Sequence, residues 1–126
     1  PFSPKNECTK LGKPKCPFYG FAADVFPKNN KGVYAPAIDG QPTTWKPNGV
    51  SFANLGTGHS YGFTDASGKY SILFTHLDPN TISLKELESG QRVGVLYDQK
   101  GNTHLHVELQ VDGKYVRPEN YLCNTK

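Results

Sequence analysis

The clearest hydrophobic pattern in the chain is a strict alternation between positions 104 and 109. The residues at 105, 107 and 109 are apolar, whereas His104, His106 and Glu108 are polar. Because successive side chains of a strand point to opposite faces, this pattern predicts a strand that carries two imidazoles and a carboxylate on one face. Two histidines at this spacing can share a metal ion or a polarised water. The alternative is a solvated polar face, on which Glu108 either supports a histidine or contacts solvent.

Short apolar and alternating segments, separated by turn residues, predict antiparallel strands along most of the chain. Hairpin signals occur at Asp39-Gly40 and Asp112-Gly113. One short helix is predicted at 84–88, because Ser83 and Glu86 are spaced as a capping box. The predicted strands are 33–38, 60–65, 69–76, 92–97, 103–109 and 114–116, and 50–58 is predicted to be a strand followed by a turn.

The segment 41–49 is rich in proline, threonine and asparagine and contains the single tryptophan, Trp45. It is predicted to be a long exposed loop. An aromatic side chain on such a loop either stacks on a sugar or peptide or covers the edge of the core.

Length and composition favour one mostly β domain. The chain has 126 residues with 13 glycines, 10 prolines and no methionine, which is typical of a turn-rich β domain rather than a helical bundle. We expect a loop segment at 1–17 and the β domain at 18–126. A net charge of +3 does not indicate nucleic-acid binding, although it suits an anionic polymer such as a cell wall. No apolar run is long enough for a membrane span.

Three cysteines, Cys8, Cys16 and Cys123, leave one thiol over after any single pairing. Either Cys8 and Cys16 close a small loop, or Cys123 ties the C-terminal end to one of them. These cysteines favour an oxidising compartment. The start Pro-Phe-Ser-Pro, without methionine, indicates a processed or trimmed chain.

A single carboxylate, Asp24, lies in the otherwise apolar and aromatic run 18–26. An acid in such surroundings is costly without a partner. Asp24 is therefore either hydrogen-bonded for structural reasons or a metal ligand.

The order of these features resembles a known family. Asp24 is followed by Gly-Val-Tyr-Ala-Pro-Ala-Ile-Asp-Gly at 32–40, then by Thr-His-Leu at 75–77 and by His-Leu-His-Val-Glu at 104–108. This order resembles the lysostaphin-type (LytM) metallopeptidases, zinc endopeptidases that cut peptide cross-links in bacterial cell walls. The resemblance covers roughly residues 18 to 122. It implies a mostly β fold with antiparallel, sandwich-like sheets of the duplicated-hybrid-motif kind and one short helix.

The resemblance also implies roles for four side chains. Asp24 and His106 match zinc ligands, and His76 and His104 match the two histidines that orient water and steady the oxyanion. The first ligand belongs four residues before Asp24, where this chain has Gly20. Because a catalytic zinc typically has three protein ligands, we expect zinc to bind weakly or not at all.

A substitute ligand would change that expectation. His59, in the flexible-looking stretch 56–60, and Cys16 are the candidates. Otherwise His59 is an exposed turn residue.

Three functional hypotheses follow. The first is a degenerate, extracytoplasmic lysostaphin-type domain that binds cell-wall peptide or a protein partner. The second is an active zinc endopeptidase with a substitute ligand. The third is a structural module whose loops 41–49 and 56–60 bind a partner while the histidine cleft is idle.

Overall fold

The computed structural model describes the backbone of residues 22–25 and the chain from 31 to 122. Within these residues it has nine strands and one short helix. The loop predicted at 1–17, the cysteine pairing and the position of Gly20 lie outside them. The elements are β1 Ala22–Val25, β2 Gly32–Tyr34, β3 Thr44–Ala53, β4 His59–Asp65, β5 Tyr70–Leu77, β6 Leu87–Glu88, β7 Arg92–Val95, β8 Leu105–Val111, β9 Lys114–Val116 and α1 Glu119–Leu122.

The strands form two antiparallel sheets. The larger has the order β1-β8-β5-β4-β3-β6, with β9 also paired to β8, and the smaller contains β2 and β7. Side chains of both sheets belong to one hydrophobic cluster, in which Val33 of β2 and Val93 of β7 join Phe63 and Phe74 of the large sheet. The predicted mostly β, antiparallel, sandwich-like fold is therefore confirmed.

The alternation at 104–109 sets the two faces of β8. Leu105, Val107 and Leu109 are all buried in the core. His106 and Glu108, between them, lie on the opposite face, which lines a groove. The Asp112-Gly113 turn joins β8 to β9 with both residues at positive φ, 52° and 80°, the conformation that tight two-residue hairpins require. The sequence pattern therefore predicted this hairpin and its faces correctly.

The prediction of an exposed loop at 41–49 is wrong. Thr44–Ala53 is a strand, and Trp45 is 1% exposed in the core. Its indole Nε1 donates a hydrogen bond of 2.9 Å to the Pro36 carbonyl. The loop-like residues Pro47 and Gly49 are accommodated by an irregularity in the pairing of β3 with β4 between Pro47 and Ser51, since bulges tolerate such residues.

The prediction of a helix at 84–88 is also wrong. Leu87 and Glu88 form the short strand β6, which pairs with Thr44 and Trp45 of β3. The Thr44 hydroxyl donates to the Glu88 carboxylate. Pairing with β3 therefore overrides the local capping signal. The one helix of the described residues is instead α1, which begins after Pro118. Within 31–122, no helical segment has both the length and the apolar character that crossing a bilayer requires.

Candidate functional site

Three imidazoles meet where β5 ends and β8 begins. These strands are antiparallel neighbours, and their register places Thr75 opposite His106. As a result, His76 at the end of β5 lies beside the His104–His106 segment. The ring centroids of His76 and His104 are 4.7 Å apart, and those of His76 and His106 are 6.3 Å apart. The structure therefore brings together the three histidines that the sequence singled out.

The pairing of β1 with β8 places the backbone of Asp24 beside the same histidines. Strand β1 is antiparallel to β8, and its register places Asp24 opposite His106. Two residues in such directly opposed positions belong to the same face of a sheet. The backbone thus places the fourth predicted site residue at the row that contains His106.

His76 is held in an unusual conformation by the turn after β3. Its φ is 74°, which is rare for a residue with a Cβ. The backbone N–H of His76 donates to Asn54 Oδ1 at 3.2 Å, and its Nδ1 is 2.9 Å from the Thr57 carbonyl oxygen. Because a carbonyl only accepts, Nδ1 carries the hydrogen, and the lone pair of the neutral ring is on Nε2.

Hydrogen bonds also orient the other two rings. His104 Nδ1 donates to the Asn102 carbonyl at 2.7 Å, which puts its lone pair on Nε2. His106 Nε2 lies 3.0 Å from Glu108 Oε2, with the two side chains 16% and 18% exposed. Since the carboxylate accepts, His106 carries its lone pair on Nδ1. Of the two roles considered for Glu108, the structure shows the contact that orients a histidine.

A chain of polar side chains, two of them buried, supports this arrangement, and sequence reasoning missed it. Asn54 Nδ2 donates to Ser60 Oγ at 2.8 Å, and Ser60 Oγ donates to Thr75 Oγ1 at 2.9 Å. Ser60 and Thr75 are the buried polar residues of the described chain. Asn54 thereby joins the backbone of His76 to the interior of the sheet. The available signal was the presence of hydroxyl residues within two largely apolar strands.

Gly58 lets the 54–58 turn pack closely on His76. Its φ is 102°, and a Cβ there would lie 2.7 Å from the Leu77 carbonyl oxygen and 2.8 Å from Tyr97 Cβ. We expect Gly58→Ala to reduce the free energy of unfolding by about 1–3 kcal/mol through strain and overpacking. Urea denaturation measures this loss.

The same turn offers a matched control. Gly56 also has a positive φ, 73°, but a Cβ there meets nothing within 4 Å. Gly56→Ala should therefore cost clearly less than Gly58→Ala, because only the backbone conformation is strained. Equal losses for the two variants would contradict the packing role of Gly58.

His59 lies away from this cluster. It begins β4 and is half-buried, not an exposed turn residue. Its Nε2 is 3.0 Å from Ser51 Oγ, and its ring stacks on Tyr61 at 4.8 Å. The neighbouring Ser60 lines the groove, so His59 faces the opposite side of the sheet. The structure therefore does not place His59 where it could replace a zinc ligand.

Tyr61, on which the His59 ring stacks, has a raised pKa, mainly because it is buried and secondly because of the charge of Asp78.

A groove runs over the polar face of the large sheet from the imidazoles toward β9. Its volume is about 620 Å³. Its floor is made of small residues on β4 and β5, together with Leu73 of β5. A Cβ on Gly62 would lie 2.6 Å from Asn48 Oδ1 and 2.8 Å from Val50 Cβ, so β3 folds closely over this floor. The small floor residues are Ser60, Gly62, Ser71 and Thr75.

The candidate metal ligands lie only partly within the described side chains. Within 31–122, no three His, Cys, Asp or Glu side chains are grouped as a metal ion requires. Only His106 of the two implied ligands has a described side chain.

The fold is of the lysostaphin type, as comparison with solved structures shows. The crystal structure of the lysostaphin catalytic domain from Staphylococcus simulans matches with a TM-score of 0.59 and 19% identity, over 87% of this chain and 86% of that one. Full lysostaphin, titled an antimicrobial peptidase, matches with a TM-score of 0.62 and 20% identity, over 88% of this chain but 47% of its own. LytU matches with a TM-score of 0.57 and 17% identity, over 87% of this chain and 81% of that one.

The chain spans only 36% of lysostaphin in its NMR solution structure. No protein-family model matches the chain, and no curated protein matches its sequence. At these identities the comparisons show the lysostaphin-type fold, which confirms the resemblance predicted from the sequence.

Proposed function

We propose that this domain is an extracytoplasmic, catalytically degenerate member of the lysostaphin type that binds cell-wall peptide in its groove. The observation that carries the proposal is the groove itself, which starts at His76 and His106 and has a floor of mostly small residues, three of them hydroxyl residues. Small side chains leave depth for an extended peptide, and their hydroxyls and amides offer hydrogen bonds to its backbone. The similarity to an antimicrobial peptidase supports a wall peptide as the ligand.

The degenerate character of the site rests on the sequence. Gly20 stands where the resemblance expects the first zinc ligand. With Asp24 and His106 alone, a metal ion would have two protein anchors rather than three. Binding without cleavage is therefore the function we favour, and a protein partner in the same groove is the alternative ligand.

Sedimentation with insoluble peptidoglycan tests the proposal. We expect the domain to co-sediment and to release no new amino groups from the wall, even with added zinc. Ser71→Trp should abolish retention, because the larger side chain fills the floor of the groove. Leu55→Trp is the matched control, since Leu55 is 98% exposed and lies outside the lining. Retention that survives Ser71→Trp would exclude the groove as the binding site.

A second candidate function is an active zinc endopeptidase with a substitute ligand. The observation in its favour is the defined hydrogen positions of the three rings, including the His106–Glu108 contact, which resembles the support that metal-binding histidines receive. This function predicts release of amino groups that a chelator stops. Such release in the sedimentation experiment would replace binding with catalysis as the function.

A further inference from the structure

Three of the six exposed large apolar side chains of the described residues line the groove. Val50 and Phe52 on β3 are 44% and 48% exposed, and Tyr115 on β9 is 53% exposed. All three line the groove, and they belong to strands on opposite sides of its floor strands β4 and β5. Exposed apolar surface that is bordered by polar residues is typical of a binding site.

The described lining of the groove has a carboxylate but no lysine or arginine. Among the described residues that line it, Glu108 is the one carboxylate, and none is lysine or arginine. The remaining polar residues are two histidines and neutral hydroxyl and amide side chains. A carboxylate on a ligand would therefore approach Glu108 with no lysine or arginine of this lining to compensate, which disfavours acidic occupants.

The strand registers give the length of the site. Thr75 lies opposite His106, and Ser71 lies opposite Gln110. These two rows are four residues apart, which corresponds to about 14 Å along a strand. Tyr115 is paired with Gln110 and so belongs to the far row. A fully extended peptide that begins at the imidazoles thus reaches Tyr115 with about its fifth residue.

We infer that the groove selects an extended peptide of about five residues, with an apolar side chain at the end opposite the imidazoles and no carboxylate between. The inference rests on the proposed peptide-binding function and specifies the ligand. Contact with Tyr115 removes apolar surface of both partners from water, which favours leucine-like residues over glycine. Glu108 lies in the row between the two ends, opposite Leu73, and so meets the third residue of the peptide.

Binding of synthetic pentapeptides with acetylated and amidated ends tests the inference. The probes are five glycines, the same peptide with leucine at its first or fifth position, and each leucine peptide with glutamate at position three. We expect one of the two leucine peptides to bind at least about tenfold more tightly than pentaglycine. Glutamate at position three should weaken it by about tenfold. Isothermal titration calorimetry measures both differences.

Three variants assign these preferences to residues. Tyr115→Ala should remove the preference for leucine, whereas Leu55→Ala, at an exposed apolar residue outside the groove, should retain it. Glu108→Gln should restore binding of the glutamate peptide. Equal binding of all peptides contradicts the inference and leaves the proposed function intact. Binding of none contradicts the inference, and it contradicts the proposed function as well if the domain is also not retained on peptidoglycan.

Discussion

Trp45→Ala is expected to reduce the free energy of unfolding by about 3–5 kcal/mol, the usual cost of removing a large buried aromatic side chain. Trp45 is 1% exposed and pairs with Leu87 on one side and Asp65 on the other. Its removal would also leave the Pro36 carbonyl without the indole N–H donor. Because small domains have only about 5–15 kcal/mol of stability, the variant should unfold at a much lower urea concentration.

Trp45→Phe separates the two contributions. Phenylalanine keeps most of the buried apolar surface but lacks the N–H, so the loss should be smaller, about 1–3 kcal/mol. The variant also keeps the experiment informative if Trp45→Ala does not fold. If neither substitution moves the urea midpoint, Trp45 is not a core residue.

Trp45 also shows why part of the fold could not be predicted from local sequence. Proline and glycine at 47 and 49 are typical of loops, and only the bulged pairing of β3 with β4 makes them compatible with a strand. In the same way, the capping pattern near Ser83 is a local signal, whereas the pairing of Leu87 with Trp45 joins residues far apart in the chain. In both places, strand pairing in the folded domain overrides the local structural propensity.

The segments with strict alternation were predictable because one rule governs them. At 105–109 the side chains divide between core and groove as period two requires, and Asp112-Gly113 supplies the turn that fixes the register. The resemblance, which rests on the order of the motifs, singled out His76, His104 and His106, and the structure shows their rings close together. What holds His76 is not encoded locally, since Asn54 and Thr57 contact it from 22 and 19 residues away.

Gly20→His is expected to raise the affinity for zinc by at least about 100-fold, if Asp24 and His106 retain the roles that the resemblance implies. The substitution supplies a third protein ligand, which a zinc site with one open position requires. Even loss of a group that only orients a ligand typically changes metal affinity by 10–100-fold, so gaining a ligand should change it at least as much. Titration calorimetry with zinc measures the effect directly and does not depend on catalysis.

Two controls make this test specific to the site. Gly20→Ala changes the backbone preference at the same position without adding a donor, so its zinc affinity should remain that of the parent chain. Adding His106→Ala to Gly20→His should abolish the gain, because His106 is the implied ligand that Glu108 orients at 3.0 Å. Tight zinc binding by the parent chain would show that a substitute ligand exists and would favour the active peptidase. If Gly20→His binds no better than Gly20→Ala, the groove does not have the geometry of a zinc site, and the imidazoles serve to bind the peptide or stabilise the fold.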